Sequence, residues 1–237
     1  MDSTLAEAHA ALAFVLSIYD WEWPSAEAAF QRAIRLDPSY ATAHEWHGVL
    51  LDALGRLEEA EAAHRRALEL DPRSLIINAV AGLHYALAGD HARAIRQLQS
   101  ALDLRADFPL ALEFLAQAYL LAGRHAEAEE ALRRWARATG TPENPWADVV
   151  AGVLEPARKP SAAAALAELR ASGVISSYRS AQYHALLGAT DAALDALERA
   201  HEERDFLMYL VNADPMLASI RSEARFRAIV AGMGLLR

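Results

Sequence analysis

The sequence contains no cysteine, which excludes disulfides, thiol nucleophiles and cysteine-ligated metals and leaves the redox compartment undefined. Lysine is almost absent. Of the 23 basic residues only Lys159 is a lysine, and against 32 acidic residues the formal net charge is −9. A nucleic-acid surface needs clustered positive charge, so no nucleic-acid partner is expected. Long apolar runs are missing too. The most apolar windows, 12–19 and 75–88, are short or interrupted by Asn78 and His84, whereas a spanning helix needs about 20 apolar residues. No Lys or Arg precedes Arg32, so the basic region that opens a secretory signal is not seen. These features predict a cytoplasmic location and no membrane partner. No GxxxxGK[ST], GxGxxG or GxSxG motif occurs, which removes phosphate-cradling loops and nucleophile elbows.

What is present in excess is alanine and leucine, together more than a third of the 237 residues. Both lose little side-chain freedom in a helix and favour it. The hydrophobic share of 54% is therefore inflated by small alanine methyls. The alanines are not scattered at random. The heptapeptide RAIRLDP at 32–38 returns as RALELDP at 66–72. The same step links Ala26, Ala60, Ala94 and Ala128, then Gly55, Gly89 and Gly123. It also links Gly48, Gly82 and Ala116, the trio Ala33, Ala67 and Ala101, and the column Phe30, His64, Leu98 and Leu132. Within one unit a first helix runs to Leu54, Gly55 breaks it, and a second helix carries Leu57, Ala60, His64, Ala67 and Leu68 on one face before Asp71 and Pro72. Glycine supplies the left-handed residue that ends a helix without a Cβ penalty. No strand alternation interrupts this string of helix pairs.

The lattice resembles the tetratricopeptide repeat, with its small residue in the first helix, an aromatic three later, alanine and phenylalanine in the second helix and proline near the end. Gly82 with Tyr85, and Ala26 with Phe30 and Pro38, carry the match. The resemblance implies an all-α, helix-pair solenoid, a right-handed superhelix of about six repeats with a C-terminal capping helix. Residues 1–142 are expected to hold four well-matched repeats, 143–207 one degenerate and one further repeat after a proline-rich break, and 208–237 the cap. Three departures stand out. Repeat 1 has YDWEWPSAEAAF in place of the glycine turn, with Pro24 opening its second helix. Trp135 stands where Ala33, Ala67 and Ala101 stand, which should widen the helix spacing after repeat 4. Pro142, Pro145, Pro156 and Pro160 crowd one stretch, the expected hinge. The segments IYDWEWPSAEAAFQRAIRLDPSYATAHEWHG and AHEERDFLMYLVNADPMLASIRSEARFRAIVAGMGLL are similar to the C-terminal repeat module of bacterial winged-helix regulators, serine/threonine kinases and adenylate cyclases. That similarity implies the interaction module of a larger regulator, or a free-standing relative.

Catalytic signals are weak, and the expectation is a non-enzymatic chain with no cofactor and no metal. HEWH at 44–47 spaces its histidines by three, whereas the zinc-protease helix needs i and i+4. His47 and His64 fall in core-facing columns and are expected as a polar-tipped core pair; a metal site or hydrolase among His44, His47 and His64 is the remote alternative. HEER at 201–204 reads as helix C-terminal capping.

Function is expected on the concave face, lined mainly by the first helix of each pair. Family groove positions are the second, fifth, ninth, twelfth and thirteenth of each repeat. In repeat 2 they give Thr42, Glu45, Val49 and Asp52; in repeat 3, Ile76, Ala79, Leu83 and Leu87; in repeat 4, Leu110, Glu113, Gln117 and Leu121. The lysine and asparagine with which chaperone-binding relatives grip a terminal carboxylate are absent. The implied partner is a protein or peptide segment with apolar anchors and some basic charge, drawn to an apolar floor with acidic flanks. The competing expectation is that this face is covered by the chain's own C-terminal segment or by a second copy, making a homodimerising module.

Overall fold

The computed structural model describes residues 3–235, which form α-helices and short 3-10 or π turns with no strand among them. Thirteen α-helices follow one another, and the first twelve pack as successive antiparallel-type pairs. The chain divides into two compact units. The first holds residues up to Ala106 together with Tyr209–Ala213; the second holds Asp107–Met208 and the chain from Asp214 onward. The division falls between the third and fourth lattice repeats and ahead of the proline-rich stretch.

The first unit contains α1 (Ser3–Val15) with α2 (Trp23–Leu36), α3 (Ala41–Ala53) with α4 (Leu57–Leu70), and α5 (Leu75–Leu87) with α6 (His91–Leu104). The small-residue columns explain why each pair closes. Ala33, Ala67 and Ala101 are fully buried, as are Ala26, Ala60 and Ala94. A Cβ on Gly82 would stand 2.5 Å from Leu98 Cγ, and one on Gly48 would stand 2.7 Å from the His64 ring. Only a hydrogen fits there, and the freed space holds the large residue of the opposite helix. Gly55 and Gly89 turn the chain at φ 71° and 79°, while the amides of Arg56 and Asp90 reach back to Leu51 O and Tyr85 O at 2.9 Å, the bonds that satisfy a helix C-terminus.

Repeat 1 solves the same turn differently. Helix α1 runs into a π-helical turn at Leu16–Asp20, and Trp21 takes the left-handed conformation at φ 57°. Trp21 lies one lattice step before Gly55, so a tryptophan occupies the glycine column. Pro24 sits in the first turn of α2, where its missing N–H costs nothing. On the surface Arg56 bridges to Glu27 at 2.8 Å and Arg93 to Glu61 at 2.7 Å. Each clips a second helix to that of the preceding repeat, and such solvent-screened pairs add little to stability.

The second unit contains α7 (Pro109–Leu121) with α8 (His125–Thr139), α9 (Asn144–Leu154) with α10 (Lys159–Ala171), α11 (Ser177–Leu186) with α12 (Thr190–Glu202), and α13 (Ala224–Gly232). The prolines fall at helix starts or in the turns before them, with Pro145 and Pro160 each in the first turn of its helix, so the crowded stretch starts helices rather than breaking them. Gly152 lets α9 approach α10, where an added Cβ would collide with Ala162 Cβ. Asp214 accepts a hydrogen bond from Met216 N at 2.9 Å and caps a 3-10 turn at Pro215–Ile220. That turn packs on α11 and α12, and α13 buries Phe226, Ile229 and Val230.

Candidate functional site

The expected groove positions in the first unit prove unequal once burial is considered. Thr42, Val49 and Leu87 are half-buried and Ile76 is 52% exposed, but Ala79 and Leu83 are buried. Glu45 is only 4% exposed; loss of solvent raises its carboxyl to about 7. It therefore carries roughly half a charge at neutral pH, not the full acidic flank that its position in the repeat implies.

Asp52 is a larger departure. It is 2% exposed and lies inside the unit, not on an open groove. His64 from α4 donates through Nε2 to Asp52 Oδ2 at 2.8 Å, and His84 from α5 donates through Nδ1 to Oδ1 at 2.7 Å. Both histidines are 1% exposed and their ring centroids are 5.0 Å apart. Burial alone would raise the Asp52 carboxyl, but His64 and His84 together outweigh it and hold the carboxyl below its usual range. The expected pairing of His47 with His64 is thus corrected: His64 turns to Asp52 and His84, while the His47 ring contacts Phe30 at 5.9 Å. His44 in turn meets Pro38 O at 3.0 Å. The two histidines of HEWH thus find separate partners.

In the second unit Leu110, Glu113 and Leu121 are half-buried and Gln117 is buried. Leu110 and Glu113 open onto a cavity of about 330 Å³. Its walls are apolar and aromatic, with Leu132, Trp135, Trp146, Tyr183 and Phe206 prominent, and Val174, Ile175 and Leu207 closing the sides. Trp135 packs edge-on against Trp146 with ring centroids 5.6 Å apart, and Trp146 meets Tyr183 at 5.7 Å. The tryptophan in the alanine column therefore forms part of the cavity wall, against the ring of Trp146 from α9.

The polar side of this cavity is Arg179, buried on α11, with Nε 2.6 Å from Glu113 Oε1. Its Nη1 donates to Gln182 Oε1 at 3.0 Å, and its guanidinium carbon lies 5.9 Å from the Phe114 ring centre. Gln182 and Tyr178 both donate to Asp214 Oδ2, the latter at 2.9 Å, which ties the cap to α11. Ser176 and Asp205 complete the rim; Asp205 Oδ2 accepts from Tyr178 N at 2.9 Å and orients the start of α11. Trp146 carries a buried indole N–H with no acceptor. Arg179, Ser176 and Asp205 lie beyond the clear lattice, so spacing could not nominate them; Trp135 was the one legible signal. HEER stands at the end of α12, where Glu203 accepts from Ser177 Oγ at 2.6 Å and pairs with Arg170 at 2.9 Å. Its glutamate serves packing between helices.

The tetratricopeptide repeat family matches residues 22–74 and 80–144. Among solved structures, PilF of Pseudomonas aeruginosa is similar at 18% identity and a TM-score of 0.61, over 93% of this chain and 98% of that one. PilW, a type IV pilus biogenesis factor, is similar at 17% identity and a TM-score of 0.60, over 92% and 98%. An O-GlcNAc transferase of Thermobaculum terrenum, in mutant form, matches 57% of this chain at 25% identity and a TM-score of 0.53. This chain spans about a quarter of that transferase, 26% of its length. No curated protein matches. No helix among the described residues is long and apolar enough to cross a membrane.

Proposed function

Because the chain belongs to the tetratricopeptide repeat family, we propose that it is a non-enzymatic protein-interaction scaffold whose second unit holds an apolar side chain of a partner peptide. The observation that carries this reading is the aromatic-walled cavity onto which Leu110 and Glu113 open, two positions that the repeat assigns to the groove. A concave, mostly apolar site with a few polar groups is what ligand recognition requires. A buried aromatic or aliphatic anchor supplies most of the affinity of such a contact.

Basic charge on the partner has a smaller role than the groove sequence implies. Glu113 already faces Arg179, and Asp52 is sealed between two histidines. Glu45 is buried, and loss of solvent raises its carboxyl to about 7. The similarity to bacterial regulator modules supports a role in regulation in the cytoplasm, with an output or signalling protein as the partner.

Peptides with one leucine or aromatic anchor, flanked by neutral, basic or acidic residues, test the reading against tryptophan fluorescence from Trp135 and Trp146. Anchor-bearing peptides should bind with micromolar dissociation constants, corresponding to about −8 kcal/mol, and Val174→Arg should abolish binding by filling the cavity. No anchor-dependent change in the native chain would end the proposal. An affinity that does not change with the flanking charge sinks the electrostatic part. A second reading, homodimerisation, is favoured by Leu5, Leu12, Val15 and Tyr19, which are 42–52% exposed at helical spacing. Light scattering across concentration separates the two readings.

A further inference from the structure

Asp52, His64 and His84 occupy three columns that the other repeats fill with apolar side chains. Stepping by one repeat length, the column of Asp52 contains Ile18, Ala86 and Leu120; that of His64 contains Phe30, Leu98 and Leu132; and that of His84 contains Leu16, Leu50 and Ala118. Eight of those nine side chains are buried and Leu16 is half-buried. An apolar solution to this packing therefore exists within the same molecule. Replacing buried polar clusters by well-packed apolar residues is often neutral or stabilising, so three polar residues meeting at one point are not explained by the needs of the core.

Their chemistry is that of a metal centre. Two imidazoles and one carboxylate, supplied by three consecutive helices, present ligand atoms that all lie within 4.8 Å of one another. We propose that Asp52, His64 and His84 form a structural binding site for a divalent transition-metal ion of the zinc type. Two nitrogens and one oxygen suit such an ion, whereas calcium and magnesium prefer oxygen alone. Zinc bonds of about 2.0–2.1 Å in tetrahedral geometry place ligand atoms about 3.3 Å apart. His84 Nδ1 and His64 Nε2 now face different oxygens of Asp52, at 2.7 and 2.8 Å, so the carboxylate must turn one oxygen between the two rings and both rings must draw back slightly to admit the ion. Gly48 leaves the His64 ring its place, since a Cβ there would meet three ring atoms within 3 Å.

The proton inventory also closes. A carboxylate only accepts, so each ring now holds its proton on the nitrogen that faces Asp52. Coordination displaces that proton, to the far nitrogen of a neutral ring or to solvent from a doubly protonated one. His64 Nδ1 and His84 Nε2 are buried without hydrogen-bond partners, so no neighbouring donor locks either tautomer. Three protein ligands leave the fourth tetrahedral position to a water molecule, and near-complete burial of all three residues leaves no face for a substrate, which assigns the ion to structure and not to catalysis.

Zinc chloride titrated calorimetrically into the untagged full chain should bind at one equivalent and raise the melting temperature. The variant Asp52→Ala, His64→Leu, His84→Leu copies the residue types of the sister repeats and should fold, yet lose stoichiometric zinc binding altogether. His44→Gln with His47→Gln should leave binding intact and so exclude the HEWH segment. Cobalt in the unaltered chain supplies a readout independent of any variant, an intense visible d–d spectrum of low coordination number. No binding at one equivalent, retention of tight binding in the triple variant, or a weak octahedral cobalt spectrum would each overturn the site. None of these outcomes bears on the peptide cavity in the second unit.

Discussion

The two units bury charge in contrasting ways. In the first, a carboxylate is enclosed by two imidazoles in a core whose helices are drawn together by Gly48 and Gly82. In the second, a guanidinium meets a carboxylate at the edge of a space held open by Trp135 and Trp146. One lattice column differs between these surroundings: alanine stands at 33, 67 and 101, each fully buried, whereas tryptophan at 135 forms part of the cavity wall.

The sharpest way to break this contrast is to remove the guanidinium. Arg179→Leu leaves the Glu113 carboxylate facing an apolar wall, and loss of one partner from a buried pair costs about 3–5 kcal/mol. Since Glu113 keeps 22% of its side-chain exposure, the lower end of that range is expected in urea denaturation. Adding Glu113→Leu should restore most of the loss, and a double variant as unstable as the single would show that the charge pair is not the cause.

A smaller effect is expected where the first unit's close approach is challenged. Gly82→Ala drives a methyl against Leu98 and should cost about 1–3 kcal/mol by overpacking. Adding Leu98→Val to the same chain should recover part of it. An unaffected melting temperature in Gly82→Ala would mean that the helices separate freely, against the packing described.

The smallest effect depends on pH and concerns Glu45. The unfolded carboxyl titrates near 4.5, while the folded one titrates at about 7. Between these values the folded state binds more protons, so the group's contribution to stability falls as pH rises from 4.5 to about 7 and is constant above. Glu45→Gln should therefore stabilise the chain by about 1–2 kcal/mol at pH 8, below the full linkage value because buried groups relax. At pH 4 the gain should vanish. Equal effects at both pH values would remove the desolvated carboxyl from the account.

Much of the architecture was legible in the sequence, because the forces that set it are periodic. A constant step in glycine and alanine specifies where helices turn and where they touch, and the observed helices α3 and α4 end close to Leu54 and Asp71, where the spacing puts their ends. The sites were less legible because they depend on exceptions to that period. HEWH drew attention by placing two histidines close in sequence, yet proximity along a helix is not convergence. Asp52, His64 and His84 stand on three different helices and converge only through the packing of those helices. The usable signal was their intrusion into apolar columns. Arg179 had no such signal, since its repeat departs too far from the lattice to define a column.

Trp21 has a consequence for anyone who would build with these units. It takes a left-handed backbone in the column where other repeats use glycine, at a cost of about 1–2 kcal/mol for a residue with a Cβ. A longer array made by copying residues 41–74 would multiply a relaxed turn, and its stability should grow with each copy. One made by copying residues 7–40 would multiply a strained turn instead, each copy giving back part of what its packing supplies. The molecule thus contains two grades of brick, one that can be extended and one that is best used once.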